Sequence, residues 1–261
     1  MNTNQQALTE PGVSVRLKNV SLAFNDAEQE LFSQLNLSQP SNQWTCLLGK
    51  SGCGKTTLLR FLAELMDEQV TWNGELITSD CLPLSGRIAY MAQQDLLLPW
   101  LSVIDNVCLG LRLGASTNTS NNQPEIKKAH DLLKAVGLAQ YASAMPHQLS
   151  GGMRQRVALA RTLMQDKPLV LMDEPFSALD AVTRYKLQNL SAQLLKERSV
   201  LLITHDPQEA LRLGHKIYIM SGKPAQLTKL QVPQTMPPRQ FDAETAHHQQ
   251  TIIELLEKDY V

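Results

Sequence analysis

Apolar and polar residues alternate in short stretches from residue 13. Val13, Val15 and Leu17 share one period-2 face, and Leu35 and Leu37 repeat it beyond the turn-forming pair Asn25-Asp26. With Pro40-Ser41-Asn42 as a second break, residues 13–47 read as antiparallel strands. Trp44-Thr45-Cys46-Leu47-Leu48 is instead a compact apolar run that leads straight into a glycine-rich loop, and residues 57–63 then read as a helix. The order is strand, loop, helix.

Between residues 104 and 144 the pattern is helical, interrupted by a polar tract at 116–122 that is expected to be a mobile loop. Pro124 suits a first helical position, Ile126, Ala129, Leu133 and Val136 recur at helical spacing, and Gly137 is placed to end the helix. A helix over 153–164 leads to an apolar strand at 169–172. A second helix over 181–198 leads to another at 200–203. Behind Pro237-Pro238, the spacing of Ile252, Leu255, Leu256 and Tyr260 predicts a C-terminal helix within 241–260 that docks on the core. Strands alternating with helices imply an α/β fold whose largely parallel sheet is covered on both faces.

The 261 residues carry 24 Lys+Arg against 25 Asp+Glu, a balance that offers no bulk attraction to nucleic acid or an anionic membrane. No apolar run reaches the length of a spanning helix and no charged start precedes an apolar segment, so a soluble, unexported chain is expected. Cys46, Cys53, Cys81 and Cys108 form no CxxC pair, which argues against a disulfide framework or a thiolate zinc site and suits a reducing cytoplasm. His130, His147, His215, His247 and His248 have no metal-ligand spacing and are expected to be solvated.

Gly49-x-x-x-x-Gly54-Lys55-Thr56 follows the phosphate-binding loop pattern, in which backbone N–H groups and a helix N-terminus surround nucleotide phosphates. Lys55 would neutralise the β- and γ-phosphates, and the Thr56 hydroxyl would ligate Mg²⁺. The strand at 169–172 ends in Asp173-Glu174, placing one carboxylate where it could hold Mg²⁺ through water and the next where it could act as a general base. In Leu149-Ser150-Gly151-Gly152-Met153-Arg154-Gln155-Arg156, a serine and two glycine amides open a helix and make a second anion site.

That octapeptide resembles the signature sequence of ATP-binding cassette (ABC) ATPases, and the resemblance extends over nearly the whole chain. It implies a P-loop NTPase cassette at 13–236, with a RecA-like core, an N-terminal antiparallel β-subdomain and an inserted helical subdomain at about 95–155. A helical extension would occupy 237–261. It implies that ATP is held by Gly49, Lys50, Ser51, Gly52, Cys53, Gly54, Lys55, Thr56 and Thr57, with Phe24 stacked on adenine, although an isolated Phe is more often core. Glu174 would be the catalytic base, with Asp173, Thr56 and Gln93 about the Mg²⁺. Gln93 looks like the Q-loop glutamine, Gln94 being the rival; His205 looks like the switch histidine, and Ser177-Ala178-Leu179-Asp180 like the D-loop. Ala92 and Thr57 depart mildly from the commonest pattern without removing a ligand.

Family geometry implies a head-to-tail dimer that sandwiches two ATP molecules, each phosphate loop facing Ser150, Gly151 and Gly152 of the other subunit. The stretch 97–107 and Met236-Pro237-Pro238-Arg239 are similar to importer ATPases serving nitrate, sulfonate, taurine and hydroxymethylpyrimidine (thiamine-precursor) permeases. The implied partners are a second ATP-binding subunit, integral membrane permease subunits and, indirectly, a solute-binding protein, at the cytoplasmic face of the cell membrane; nucleic acid is not among them. A soluble ABC ATPase of DNA repair or translation is the alternative. Leu97, Leu98, Trp100 and Leu101 form an apolar cluster in which some side chains fill a core and the rest make a partner site; Leu97 is the position expected to face the permease, and Trp100 is the alternative for burial.

Overall fold

The period-2 alternation folds as expected in the computed structural model, which describes residues 11–66, 68–114 and 123–258. The polar tract at 116–122 and Tyr260 lie outside these residues. Strand β1 (Val15–Phe24) pairs antiparallel with β2 (Phe32–Gln39), Leu17 opposite Leu37, so that both apolar faces turn to one side. β3 (Trp44–Gly49) is buried at every position and leads into α1 (Lys55–Leu62). It runs parallel to its neighbours, so residues 44–47 belong to the second sheet and not to the antiparallel one. The other edge of β1 takes β4 (Val70–Thr78), a strand without legible alternation: only its two ends are buried, and Gly74 lies within it.

In the main sheet, β5 (Ile88–Met91) is followed by the short helices α2 (Val103–Val107) and α3 (Leu109–Gly114), then α4 (Gln123–Ala135) and α5 (Gly151–Met164). Next come β6 (Leu169–Asp173), α6 (Ala181–Leu194), β7 (Ser199–Ile203) and α7 (Pro207–Leu213). The hairpin β8 (Lys216–Ser221) and β9 (Gln226–Leu230) precedes α8 (Ala243–Lys258). The six strands lie in the order β5-β6-β7-β3-β8-β9, all parallel except the last, so the parallel sheet read from the sequence carries one antiparallel edge.

Strands buried on both faces feed two cores. Val170 and Met172 join a core with Val157, Leu159 and Leu211 on the helices; their neighbours Leu169 and Leu171 join a second with Leu58 and Leu62 of α1 and Leu17, Leu22 and Leu37 of the antiparallel sheet. Each fully buried leucine contributes about 2 kcal/mol. Burial on both faces explains their largely apolar runs, in which Thr45, Asp173 and Ser199 are the buried polar exceptions.

Two expectations need correction. The helix over 181–198 ends at Leu194, because the Arg198 N–H turns back to the Leu195 carbonyl and its guanidinium pairs with Asp166 at 2.6 Å. His215 is half-buried, not solvated: its Nδ1 accepts the Trp44 N–H at 3.1 Å, and burial, with Arg239 nearby, holds its pKa below the ordinary value. Arg239 itself is buried and donates to the carbonyls of Leu211, Gly214, Pro233 and Thr235, stapling the chain after β9 onto α7. Among the described residues no helix is long and apolar enough to cross a membrane.

Candidate functional site

The buried strand β3 delivers the chain to a loop that only glycines can follow. Gly54 has φ +104°, and a Cβ there would lie 2.7 Å from the Phe32 ring. Lys55 begins α1 and folds back, its Nζ donating to the carbonyls of Gly49 at 2.7 Å and Lys50 at 2.8 Å. A buried ammonium held by carbonyl dipoles is best compensated by an anion placed over the loop. Beside it opens a cavity of about 550 Å³ lined by Phe24, Leu31, Lys50, Ser51, Gly52 and Cys53, a size suited to a nucleotide. The ring of Phe24 also touches the second core, so both readings of that residue hold in part. The turn Gly222-Lys223-Pro224 between β8 and β9 closes another wall; no motif marked it, because it reaches the cavity only through strand order.

The chemistry-bearing side chains come from adjacent strand ends. β5, β6 and β7 are neighbours, and Gln93, Glu174 and His205 each lie just past the carboxyl end of one of them. Glu174 Oε2 is 3.2 Å from His205 Nδ1 and 3.4 Å from Gln93 Nε2. Its backbone is pinned from several sides. The Glu174 N–H donates to the Ile203 carbonyl, while its own carbonyl accepts from Ser177 Oγ and Gln155 Nε2. It sits at φ +49°, a conformation a glutamate holds only when the surroundings enforce it. Gln94 makes no such approach to Glu174 among the described hydrogen bonds, which favours Gln93 over its rival.

Thr56 Oγ1 donates to Asp173 Oδ2 at 2.7 Å. Asp173 is 1% exposed, and burial raises its pKa, an effect the Thr56 hydrogen bond only partly offsets. A divalent cation at this point would compensate the desolvated carboxylate, and the oxygen donors Thr56 and Asp173 suit Mg²⁺, with phosphate and water completing the shell. Among the described residues no three His, Cys, Asp or Glu side chains cluster as a protein-only metal cage.

Ser150, Gly151 and Gly152 do not line the cavity beside the phosphate loop of their own chain. Ser150 caps α5, its Oγ accepting the Met153 N–H at 3.3 Å, and a Cβ on Gly152 would lie 3.1 Å from the Ala178 carbonyl. Asp180, expected near the nucleotide, caps α6 by accepting the N–H groups of Val182 and Thr183. Hydrogen bonding to those N–H groups holds its carboxyl below the usual range.

One connection was not signalled by any motif. From α5, Arg154 Nε donates to Asp95 Oδ2 at 3.0 Å, and Arg161 donates to the carbonyls of Asp95 and Leu96. The helix opened by Ser150 is thereby tied to the segment just after Gln93. Next to it the fully buried Asn106 donates to the carbonyls of Leu98, Leu101 and Ser102 and accepts the Leu98 N–H, which fixes the loop. The outcome reverses one expectation and decides one alternative. Leu97, expected to face outward, is buried at 9% exposure and joins the core, while Trp100 stands out at 69%, and Leu96, next to Leu97 in sequence, is also exposed.

Comparison with known proteins places these features together. Residues 32–177 match the ABC transporter family. An uncharacterized ABC transporter ATP-binding protein of Haemophilus influenzae is 47% identical over 83% of this chain and 85% of its own. An aliphatic sulfonates import ATP-binding protein of Paracoccus denitrificans is 40% identical over 90% of each chain. A taurine import ATP-binding protein of Rhizobium johnstonii is 42% identical over 72% of this chain and 71% of its own. Among solved structures, a dimeric ATP-binding cassette in a post-hydrolysis state with ADP and Pi superposes with a TM-score of 0.70 at 30% identity, covering 87% of this chain and all of that one.

Proposed function

This chain belongs to the ABC transporter family and is an ATP-hydrolysing enzyme, and on that premise we propose that it drives a membrane importer as one half of a head-to-tail dimer. The observation that carries the reading is the placement of Ser150-Gly151-Gly152: a helix N-terminus built to receive an anion, outside its own nucleotide cavity, and tied through Arg154 and Arg161 to the loop that presents Trp100. The first half of that arrangement suits the γ-phosphate of an ATP on a partner copy. The second carries the resulting movement to a permease.

In this reading the cassette spans 13–236, with the helical part at about 95–155, and 237–261 is an extension. ATP stacks on Phe24 and lies along residues 49–57. Glu174 accepts a proton from the attacking water, positioned by its contact with His205, while Lys55 and the partner's signature serine stabilise charge on the transferred phosphoryl group. Mg²⁺ bound at Thr56 and Asp173, close to Gln93, would neutralise charge on the β- and γ-phosphates. The names of the relatives support a sulfonate or taurine-like solute, selected by the permease and a solute-binding protein at the cell membrane.

Coupling is tested at the exposed tryptophan. Trp100→Glu changes a surface residue, so its effect on stability should stay within about 0.5 kcal/mol, and nucleotide binding by the isolated chain should be unchanged. Assembly with the permease and solute uptake should be lost. Leu97→Glu is unsuitable as a probe, since it buries a charge in the core and should unfold the chain. Normal uptake by a folded Trp100→Glu variant would place the permease contact elsewhere.

A further inference from the structure

Behind the catalytic group lies a second cavity of about 530 Å³, between α6, α7 and the chain at 239–245. It does not include the phosphate loop. Its walls are Arg184 and Tyr185 of α6, Glu209 and Arg212 of α7, and Arg239 and Phe241 from the C-terminal segment. We infer that this cavity binds a small organic anion with a flat apolar body, and that its occupancy changes the rate of hydrolysis at Glu174.

Charge selects the ligand's sign. Arg184 is matched by Asp206 at 3.5 Å, but Arg212 and Arg239 have no carboxylate partner among the described ion pairs. Arg212 donates to the Arg239 carbonyl and to Asn189 Oδ1, and Arg239 donates to backbone carbonyls alone. Both guanidinium groups donate to neutral oxygens, and the Glu244 carboxylate acts on Arg239 from beyond ion-pair distance. The Nε–H groups of Arg184 and Arg212 are buried without a hydrogen-bond partner, so donor capacity remains unspent on the same wall. Glu209 is turned to its own partner: it is 5% exposed and accepts from Gln188 Nε2 at 2.9 Å, and burial raises its pKa.

Shape selects the body. Tyr185, under the Arg212 guanidinium at 3.9 Å, and Phe241 are exposed at 49% and 59%, an unusual cost for two aromatic rings flanking one opening. A planar apolar group laid against them removes that surface from water while its anionic end meets the arginines. The cavity lies within the range of small-molecule sites.

Position gives the consequence. A small void of about 20 Å³ touches Glu174 and His205 on one side and shares Arg184, Asp206 and Glu209 with the larger cavity. Asp180 and Asp206 cap the two helices that form the walls, and Asp206 directly follows His205. A ligand bridging α6 and α7 therefore restrains the turn that carries His205. The binding claim stands apart from the importer reading, whereas the rate effect rests on Glu174 being the base.

The test uses the full chain saturated with ADP, which fills most of the phosphate loop, and the variants below separate this cavity from any other anion site. Benzenesulfonate, benzoate and benzylamine are titrated by calorimetry. The two anions should bind with Kd at or below about 1 mM and the amine should not. Tyr185→Ala and Phe241→Ala, both surface changes, should weaken binding by about fivefold or more, and Arg212→Gln by about tenfold, with ADP affinity unchanged. Saturating benzenesulfonate should alter wild-type ATP turnover by about twofold or more, and lose this effect in Tyr185→Ala. Absence of anion binding, equal binding of the amine, or unchanged affinity in the folded variants overturns the site. Binding without a rate effect overturns the regulatory half. A second copy of the chain is the competing occupant; wild type that binds no anion but self-associates through Tyr185 and Phe241 assigns the surface to that contact instead.

Discussion

Replacing Lys55 with Ala should weaken ATP binding by about 100-fold and abolish turnover with it, since removing one partner of a buried, hydrogen-bonded charge pair costs about 3 kcal/mol. The loop geometry explains why no neighbour substitutes. The Lys55 ammonium is held over the loop by the Gly49 and Lys50 carbonyls, and the Lys50 side chain is among those lining the open cavity. Truncation leaves the phosphates facing two carbonyl oxygens, which repel them. Loss of binding should be accompanied by an unchanged ADP-free melting temperature within a few degrees, because the glycine turns and α1 keep their backbone bonds. Calorimetric titration with ATP reads the effect, and near-normal affinity would remove the phosphate loop from the site.

Glu174→Gln should behave in the opposite way: ATP still binds, while the rate of hydrolysis falls by about 10²- to 10⁴-fold, the usual worth of a positioned general base. The amide matches the carboxylate in size and can orient a water, but it cannot take the proton. The fold should tolerate the change, since the backbone bonds of Glu174 to Ile203, Ser177 and Gln155 are untouched and, among the described hydrogen bonds and ion pairs, its side chain meets Gln93 and His205. With hydrolysis stopped, ATP should accumulate in a closed dimer that elutes earlier than the nucleotide-free chain on size-exclusion chromatography. Wild-type turnover by the folded variant would show that another group takes the proton.

How far the site was legible depended on how local each feature is. The phosphate loop and the Ser150 cap are short contiguous segments whose glycines and capping serine state their geometry, and they fold as read. Gln93, Glu174 and His205 are far apart in the chain. Their positions came from motifs, but their meeting depends on β5, β6 and β7 being neighbours, which no spacing encodes. The antiparallel edge β4 was illegible because most of its middle is exposed and it contains Gly74. Leu97 was read as outward-facing and is buried because a single buried residue, Asn106, sets the loop; an asparagine in a helical pattern gives no hint that its amide will bind three carbonyls. Asp180, read by motif as a nucleotide neighbour, caps α6 in the single chain, a role its residue type and position also announce.

The central claim, that one catalytic site is assembled from two copies, is tested most directly by mixing two inactive variants. Lys55→Ala removes the phosphate loop's charge, and Ser150→Arg places bulk and positive charge at the signature end; the latter should also cost about 1 kcal/mol of helix capping, which a melting curve checks. Each variant alone should be inactive. In a mixed head-to-tail dimer both defects fall on one interface and the other is intact. Half of the randomly exchanged pairs are mixed and each retains one of two sites, so ATPase activity should recover to about one quarter of the wild-type value. Activity that stays at the level of the separate variants, with subunit exchange verified, would contradict a site shared across the dimer.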